Sequence, residues 1–164
     1  MPTMIVALSV SIAIAGPSAS KNKPLSSKES ASLREQARSL LTAGDLEKVA
    51  KLIDRARTVT ATTERAAWLL IESECDYARH AWAKSALAAM QIVILHPKSE
   101  HGGSALYWAA RAYEQIGRPV KSADLYRECV DHKRTPAGLR DAAKARLTDL
   151  TKQVEHPPRR DSKP

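Results

Sequence analysis

The chain has 164 residues, enough for one domain with flanking segments, and its 43% apolar and 27% charged residues are those of a globular protein. It contains no Phe. Outside the extreme N-terminus no run alternates β-branched or aromatic residues with polar ones, which speaks against a sheet-based fold. The net charge of +8 is carried by the flanks: Lys/Arg and Asp/Glu balance between Glu29 and Asp131, and the excess lies in Lys21, Lys23 and Lys28, in Lys133–Lys152 and in the tail. A nucleic-acid groove concentrates positive charge on the folded surface, and the central part of this chain does not.

The first twenty residues, MPTMIVALSVSIAIAGPSAS, carry no charged side chain. Met4–Ala15 is an apolar run broken by Gly16-Pro17, with small residues at Ala13, Ala15, Ser18 and Ser20. It is shorter than the roughly 20 residues of a membrane span, so residues 1–20 read as a secretory signal cleaved near Ala15 or Ser20. An uncleaved anchor and a misplaced start are the alternatives. Export to the periplasm or cell envelope follows from the first reading, and inner-membrane anchoring from the second.

Residues 21–27 form a polar linker containing Pro24. Ser26-x-x-Glu29 then predicts a capping box, and Leu33, Ala37, Leu40 and Leu41 fall on one helical face. Gly44 ends this helix in a position that favours left-handed backbone, and Asp45 caps its partner. That partner carries Leu46, Val49, Ala50, Ile53 and Ala56 at the same spacing, so a first unit spans about 28–58. A second unit, about 62–96, starts near Thr62 or Thr63. Its first helix holds Ala67, Leu70, Ile71 and Ala78, and its second holds Trp82, Ala86, Ala89, Met90 and Val93 up to His96-Pro97. Its turn near His80 lacks the glycine of the other units.

The loop KSEHGG leads to a third unit, about 103–132, with Gly117 as C-cap and Pro119 opening the second helix. A last helix, 136–152, has Leu139, Ala142, Ala143, Leu147 and Leu150 on one side. Arg140, Lys144, Asp149 and Lys152 keep the other side wet. Residues 154–164 read as a disordered tail.

Lys-Ser-Ala occurs at Lys84–Ala86 and again at Lys121–Ala123, 37 residues on, and Gly44 precedes Gly117 by 73. A helical hairpin recurring every 34 to 37 residues predicts a stack of units that bury their apolar faces against one another. The pattern resembles the tetratricopeptide repeat, W-x2-L-G-x2-Y, then A-x3-F, then P. Leu106, Ala109, Ala110 and Tyr113 stand at the first set in the third unit, with Ser122 and Tyr126 in the second helix. Leu33, Gln36, Ala37, Leu40, Val49 and Ile53 correspond in the first unit, and Pro97 closes the second. Pro97-Lys98-Ser99, Ala105, Tyr107-Trp108, Tyr113 and Gly117 are similar to the cell-envelope branch of that family, typified by TolA-binding, cell-division coordinator proteins and the outer-membrane assembly lipoprotein. The resemblance implies an all-α, right-handed solenoid of three hairpins, covering residues 28–153 and closed by the capping helix.

The same resemblance implies a peptide groove lined by the first helices, at Arg34, Arg38, Leu70, Glu74, Tyr107 and Arg111. Arginines at both ends, with an acid and an aromatic inside, suit a peptide carrying carboxylates.

Other chemistry finds little support. His96 and His101 share one loop and supply at most two ligands, with His80 and His132 scattered, so no metal site is expected. Glu72, Glu74 and Asp76 are two apart and point in different directions on a helix. There is no phosphate loop, no Ser/His/Asp arrangement and no HExxH. Cys75 and Cys129 fall at small buried positions between helices, a disulfide being the alternative. Trp68, Trp82 and Trp108 read as packing anchors. The expected function is therefore non-catalytic: an exported scaffold binding a protein or peptide, with no cofactor and no nucleic acid. The alternative is a basic adaptor touching nucleic acid or anionic membrane through Lys133–Lys152.

Overall fold

The computed structural model describes residues 25–60 and 64–155, which form seven α-helices and no strand among them. They are α1 (Ser27–Thr42), α2 (Leu46–Val59), α3 (Arg65–Ala78), α4 (Trp82–Leu95), α5 (Gly102–Gln115), α6 (Pro119–Asp131) and α7 (Ala137–Glu155). The apolar N-terminal run, the expected helix start at Thr62 or Thr63, and residues 156–164 lie outside the described residues. The expected linker is one residue shorter than read, because Ser27 is already helical, and α7 takes in Val154 and Glu155.

Every helix packs on the next in sequence, and α1 also touches α3, α3 touches α5, and α5 touches α7. The odd-numbered helices thus run side by side, and α1, α3 and α5 are each covered by the even-numbered helix that follows. Two apolar clusters share α3. Its Trp68, Ile71 and Cys75 pack with Ala37, Val49, Ile53 and Ala56 of the first hairpin, while Leu69 and Leu70 join the larger cluster reaching Ala143 and Leu150 of α7.

Local chemistry repeats with the same period. Ser26 accepts from the Glu29 amide, and Glu29 accepts from the Ser26 amide at 2.9 Å, the reciprocal box read from the sequence. Gly44, His80 and Gly117 take φ of +79°, +59° and +78°, at spacings of 36 and 37 residues. At each, the residue that follows donates its amide back across the turn: Asp45 to the Leu40 carbonyl, Ala81 to Asp76 and Arg118 to Tyr113, all at 2.8–2.9 Å. These are three copies of one helix-ending motif. His80 stands in for glycine there, since histidine visits the left-handed region more readily than most residues, and its ring lies edge-on to Trp82.

No atom lies within 4 Å of the place a Gly44 Cβ would occupy, so a side chain there meets only backbone strain. Gly44→Val is expected to cost about 1–2 kcal/mol. A urea midpoint unchanged from the parent would refute the assignment of that turn.

Where paired helices cross, small buried residues twelve apart meet, Ser73 with Ser85 and Ala110 with Ser122, and Ala37 and Val49 stand at the same spacing in the first hairpin, all with no solvent exposure. Ser73 donates to the Ser85 carbonyl at 3.1 Å and Ser122 to the Ala110 carbonyl at 2.8 Å, so the buried hydroxyls are satisfied. The Lys-Ser-Ala repeat is the sequence trace of this crossing. Cys75 and Cys129 are both buried and free, Cys129 donating weakly to the Gly103 carbonyl. Burial pushes both thiols up, so neither is a poised thiolate.

Two readings of helix faces are corrected. Ala78, expected on the apolar face, is exposed at the last position of α3. Arg140, expected in water, is partly buried and donates to the carbonyls of His132, Lys133 and Thr135, tying α7 to the turn before it.

Candidate functional site

The residues expected to line a groove all lie on the odd-numbered helices, in pairs four apart that share a face: Arg34 and Arg38 on α1, Leu70 and Glu74 on α3, Tyr107 and Arg111 on α5. Two adjoining cavities open on this side. One, about 810 Å3, is bounded by Arg34 and Arg38, by Glu64 just before α3 and Ala67 within it, and by the stretch from Leu95 to His101. The other, about 770 Å3, is bounded by Arg38, Leu70, Glu74, Glu100, His101, Ser104, Arg134, Pro136 and Leu139. Arg38, Glu100 and His101 belong to both, so the two form one cleft from α1 across α3 to the start of α7.

Four of the six expected residues therefore meet in the cleft. The other two do not line it. Tyr107 is buried with its ring against Trp108 and Tyr126. The Arg111 guanidinium lies 4.4 Å from the centre of the Tyr77 ring and 5.5 Å from that of Trp108, a cation–π stack that joins α5 to α3. Arg34 is also engaged: it pairs with Glu64 at 3.7 Å, and Glu64 accepts from the Ser27 hydroxyl at 2.6 Å. The Ser27 and Ser30 hydroxyls, with Arg34, hold the Glu64 carboxyl below its ordinary range. Arg34 and Arg111 thus have partners within the fold, and Arg38 is left facing the cleft.

Burial pushes the Glu74 carboxyl above its usual value, opposed by the charge of Arg38 and a hydrogen bond from Trp108. Burial likewise pushes His101 down, Glu100 opposing and Arg38 and Arg34 adding to it, so its imidazole is neutral at pH 7. His96 and His101 both line the larger cavity, beside Arg34, Arg38 and Lys98, which is cationic company for a metal ion. Among the described residues no three His, Cys, Asp or Glu side chains converge.

The acidic triplet of α3 divides between faces. Glu74 enters the cleft, whereas Glu72 and Asp76 line a smaller cavity of about 380 Å3 on the side of the even-numbered helices, with Arg57, Arg79 and Lys84. Glu72 there pairs with Arg57.

Sequence reading missed the walls supplied by turns: Lys98, Glu100 and His101 between α4 and α5, and Arg134, Pro136 and Leu139 at the start of α7. The available signal was Gly102-Gly103. A Cβ on Gly103 would lie 2.6 Å from the Thr135 Cα, so glycine is what lets the α6–α7 turn settle against the start of α5.

Among the described residues no helix is long and apolar enough to cross a membrane. Comparison of the chain with protein-family models, with curated proteins and with solved structures finds no match.

Proposed function

We propose that this chain is a non-catalytic scaffold that binds a partner peptide or protein in the cleft on the odd-numbered helices. In this reading the hairpins α1–α2, α3–α4 and α5–α6 are tetratricopeptide-like units, coiled into a short right-handed solenoid and closed by α7. Support comes from the spacing of 36 and 37 residues between left-handed turns and from buried small pairs in the same register. The apolar Met4–Ala15 run supports export to the bacterial envelope. The observation that carries the binding role is the cleft itself: a wide, open surface of mixed charge with Arg38 at its centre, held by three helices and two turns. Rigid walls let a few anchors set affinity, because little is ordered on binding.

The test is crosslinked pull-down from the native cell with Arg38→Glu. Capture is expected to change by at least about tenfold, with helicity unchanged, since reversing a central charge is worth over about 1.4 kcal/mol. A partner retained equally by this variant would remove the cleft from the account.

The alternative, a basic adaptor working through Lys133–Lys152, has less to stand on. Arg140 is occupied by backbone carbonyls, and Arg146 pairs with Glu114 and Asp149. Binding that collapses on adding salt and ignores Arg38 would favour it.

A further inference from the structure

We propose that the cavity between α3, the α4–α5 turn and the start of α7 is an anchor pocket for a cationic side chain of the partner. A lysine or arginine would be taken by Glu74 and Glu100, with its methylene stem along Leu70 and Leu139. The inference rests on the cleft-binding reading and gives that cleft its charge preference.

Four charged groups and one histidine face this cavity: Arg38 from α1, Glu74 from α3, Glu100 and His101 from the α4–α5 turn, and Arg134 from the α6–α7 turn. Their states differ. Arg134 donates to the Lys98 carbonyl, which holds it along the rim. His101 is neutral at pH 7, because burial disfavours its charged form. Glu100 approaches His101 at 3.8 Å, a contact without a full opposite charge. Arg38 influences Glu74 through space, yet no described residue forms an ion pair with that carboxylate.

Glu74 is therefore a partly buried carboxylate aimed into a cavity of about 770 Å3 without a cationic partner of its own. A buried unpaired charge is costly, and a strongly hydrated ammonium or a guanidinium entering the cavity would relieve that cost. The walls match the rest of such a side chain. Leu70 and Leu139 offer apolar surface to the stem, and the Ser104 hydroxyl lies on the same wall as a further acceptor. A carboxylate ligand would instead meet Glu74 and Glu100, with Arg38 as its main attraction.

The state of Glu74 in the unliganded protein has a consequence for stability. With its carboxyl held above the ordinary range, Glu74 binds a proton more readily folded than unfolded, so its ionised form weakens the fold at neutral pH. Glu74→Gln is expected to raise the melting temperature while weakening binding, the pattern of a group kept for a ligand.

The experiment uses a displayed peptide library whose central position is fixed as Lys, Arg, Glu or norleucine, with the Trp108 indole N–H resonance as local reporter. Lysine and arginine libraries are expected to be enriched roughly tenfold over the glutamate library. Binders should move the Trp108 signal, and Glu74→Gln should erase the preference, with Glu100→Gln reducing it should the first variant be unstable. Enrichment of glutamate peptides that depends on Arg38 would overturn this inference and leave the cleft reading standing. If no library is retained and the Trp108 signal does not move, both fall.

Discussion

Replacing Trp68 by alanine is expected to cost about 3–5 kcal/mol and to loosen the first hairpin ahead of the rest. Trp68 is 3% exposed and sits among Ala37, Val49, Ile53, Ala56, Ile71 and Cys75, the cluster by which α1 and α2 are held to α3. Its indole donates to the Ser30 hydroxyl at 3.2 Å, inside the same interface. Truncation removes the largest side chain of that cluster and leaves the buried Ser30 hydroxyl short of a partner. The larger cluster, from Ala66 to Leu150, has no share in Trp68 and should hold. Hydrogen exchange would then show protection lost in α1 and α2 before α5 and α6. A loss under about 1 kcal/mol, or a uniform loss of protection, would contradict the division into two cores.

The second large effect is expected at Gly103. A Cβ there would lie 2.6 Å from the Thr135 Cα and 2.8 Å from its backbone nitrogen, besides meeting its Oγ1. Backbone cannot rotate away as a side chain can, so the α6–α7 turn would have to move. Gly103→Ala is expected to cost about 3 kcal/mol, the upper part of the range for overpacking. Arg134, Pro136 and Leu139 follow that turn into the cleft wall, so partner binding should fall as well. Gly102 is the control. Its added Cβ would meet the His132 imidazole at 3.0 Å, a side chain held by one 3.3 Å hydrogen bond from the Arg134 amide and not a backbone, and Gly102→Ala should cost under about 1 kcal/mol. Equal effects at the two positions in urea titration would refute the close approach of Thr135.

Much of this fold was legible in the sequence because helical hairpins are local objects. Ser26 and Glu29, Gly44 with Asp45, and Gly117 with Pro119 mark helix ends by chemistry that needs no distant partner. The recurrence of Lys-Ser-Ala gave the period, and the buried crossing at Ser85 and Ser122 falls on it. His80 was harder: nothing local announces a left-handed histidine, and only the period of 36 residues points to it.

The cleft was half legible. The resemblance to tetratricopeptide repeats implied Arg34, Arg38, Leu70 and Glu74, whereas the turn residues Glu100, His101 and Arg134 depend on how turns fold back over α3 and α5. Tyr107 and Arg111 share the spacing of the others, yet neighbouring rings of Tyr77, Trp108 and Tyr126 draw them into packing. Spacing gives a face; which side chains remain free on it is decided by neighbours far along the chain.

The surface that a partner touches decides most directly between the cleft and the rest of the molecule. Amide shifts of the 15N-labelled protein, recorded with and without a partner captured from the native cell, would map it residue by residue. The expected shifts fall on Arg34 and Arg38, on Ala67 to Glu74, on Ser99 to Ser104 and on Arg134 to Leu139. Shifts confined instead to the opposite side, around the exposed Leu87, Ile94 and Val120, would contradict it.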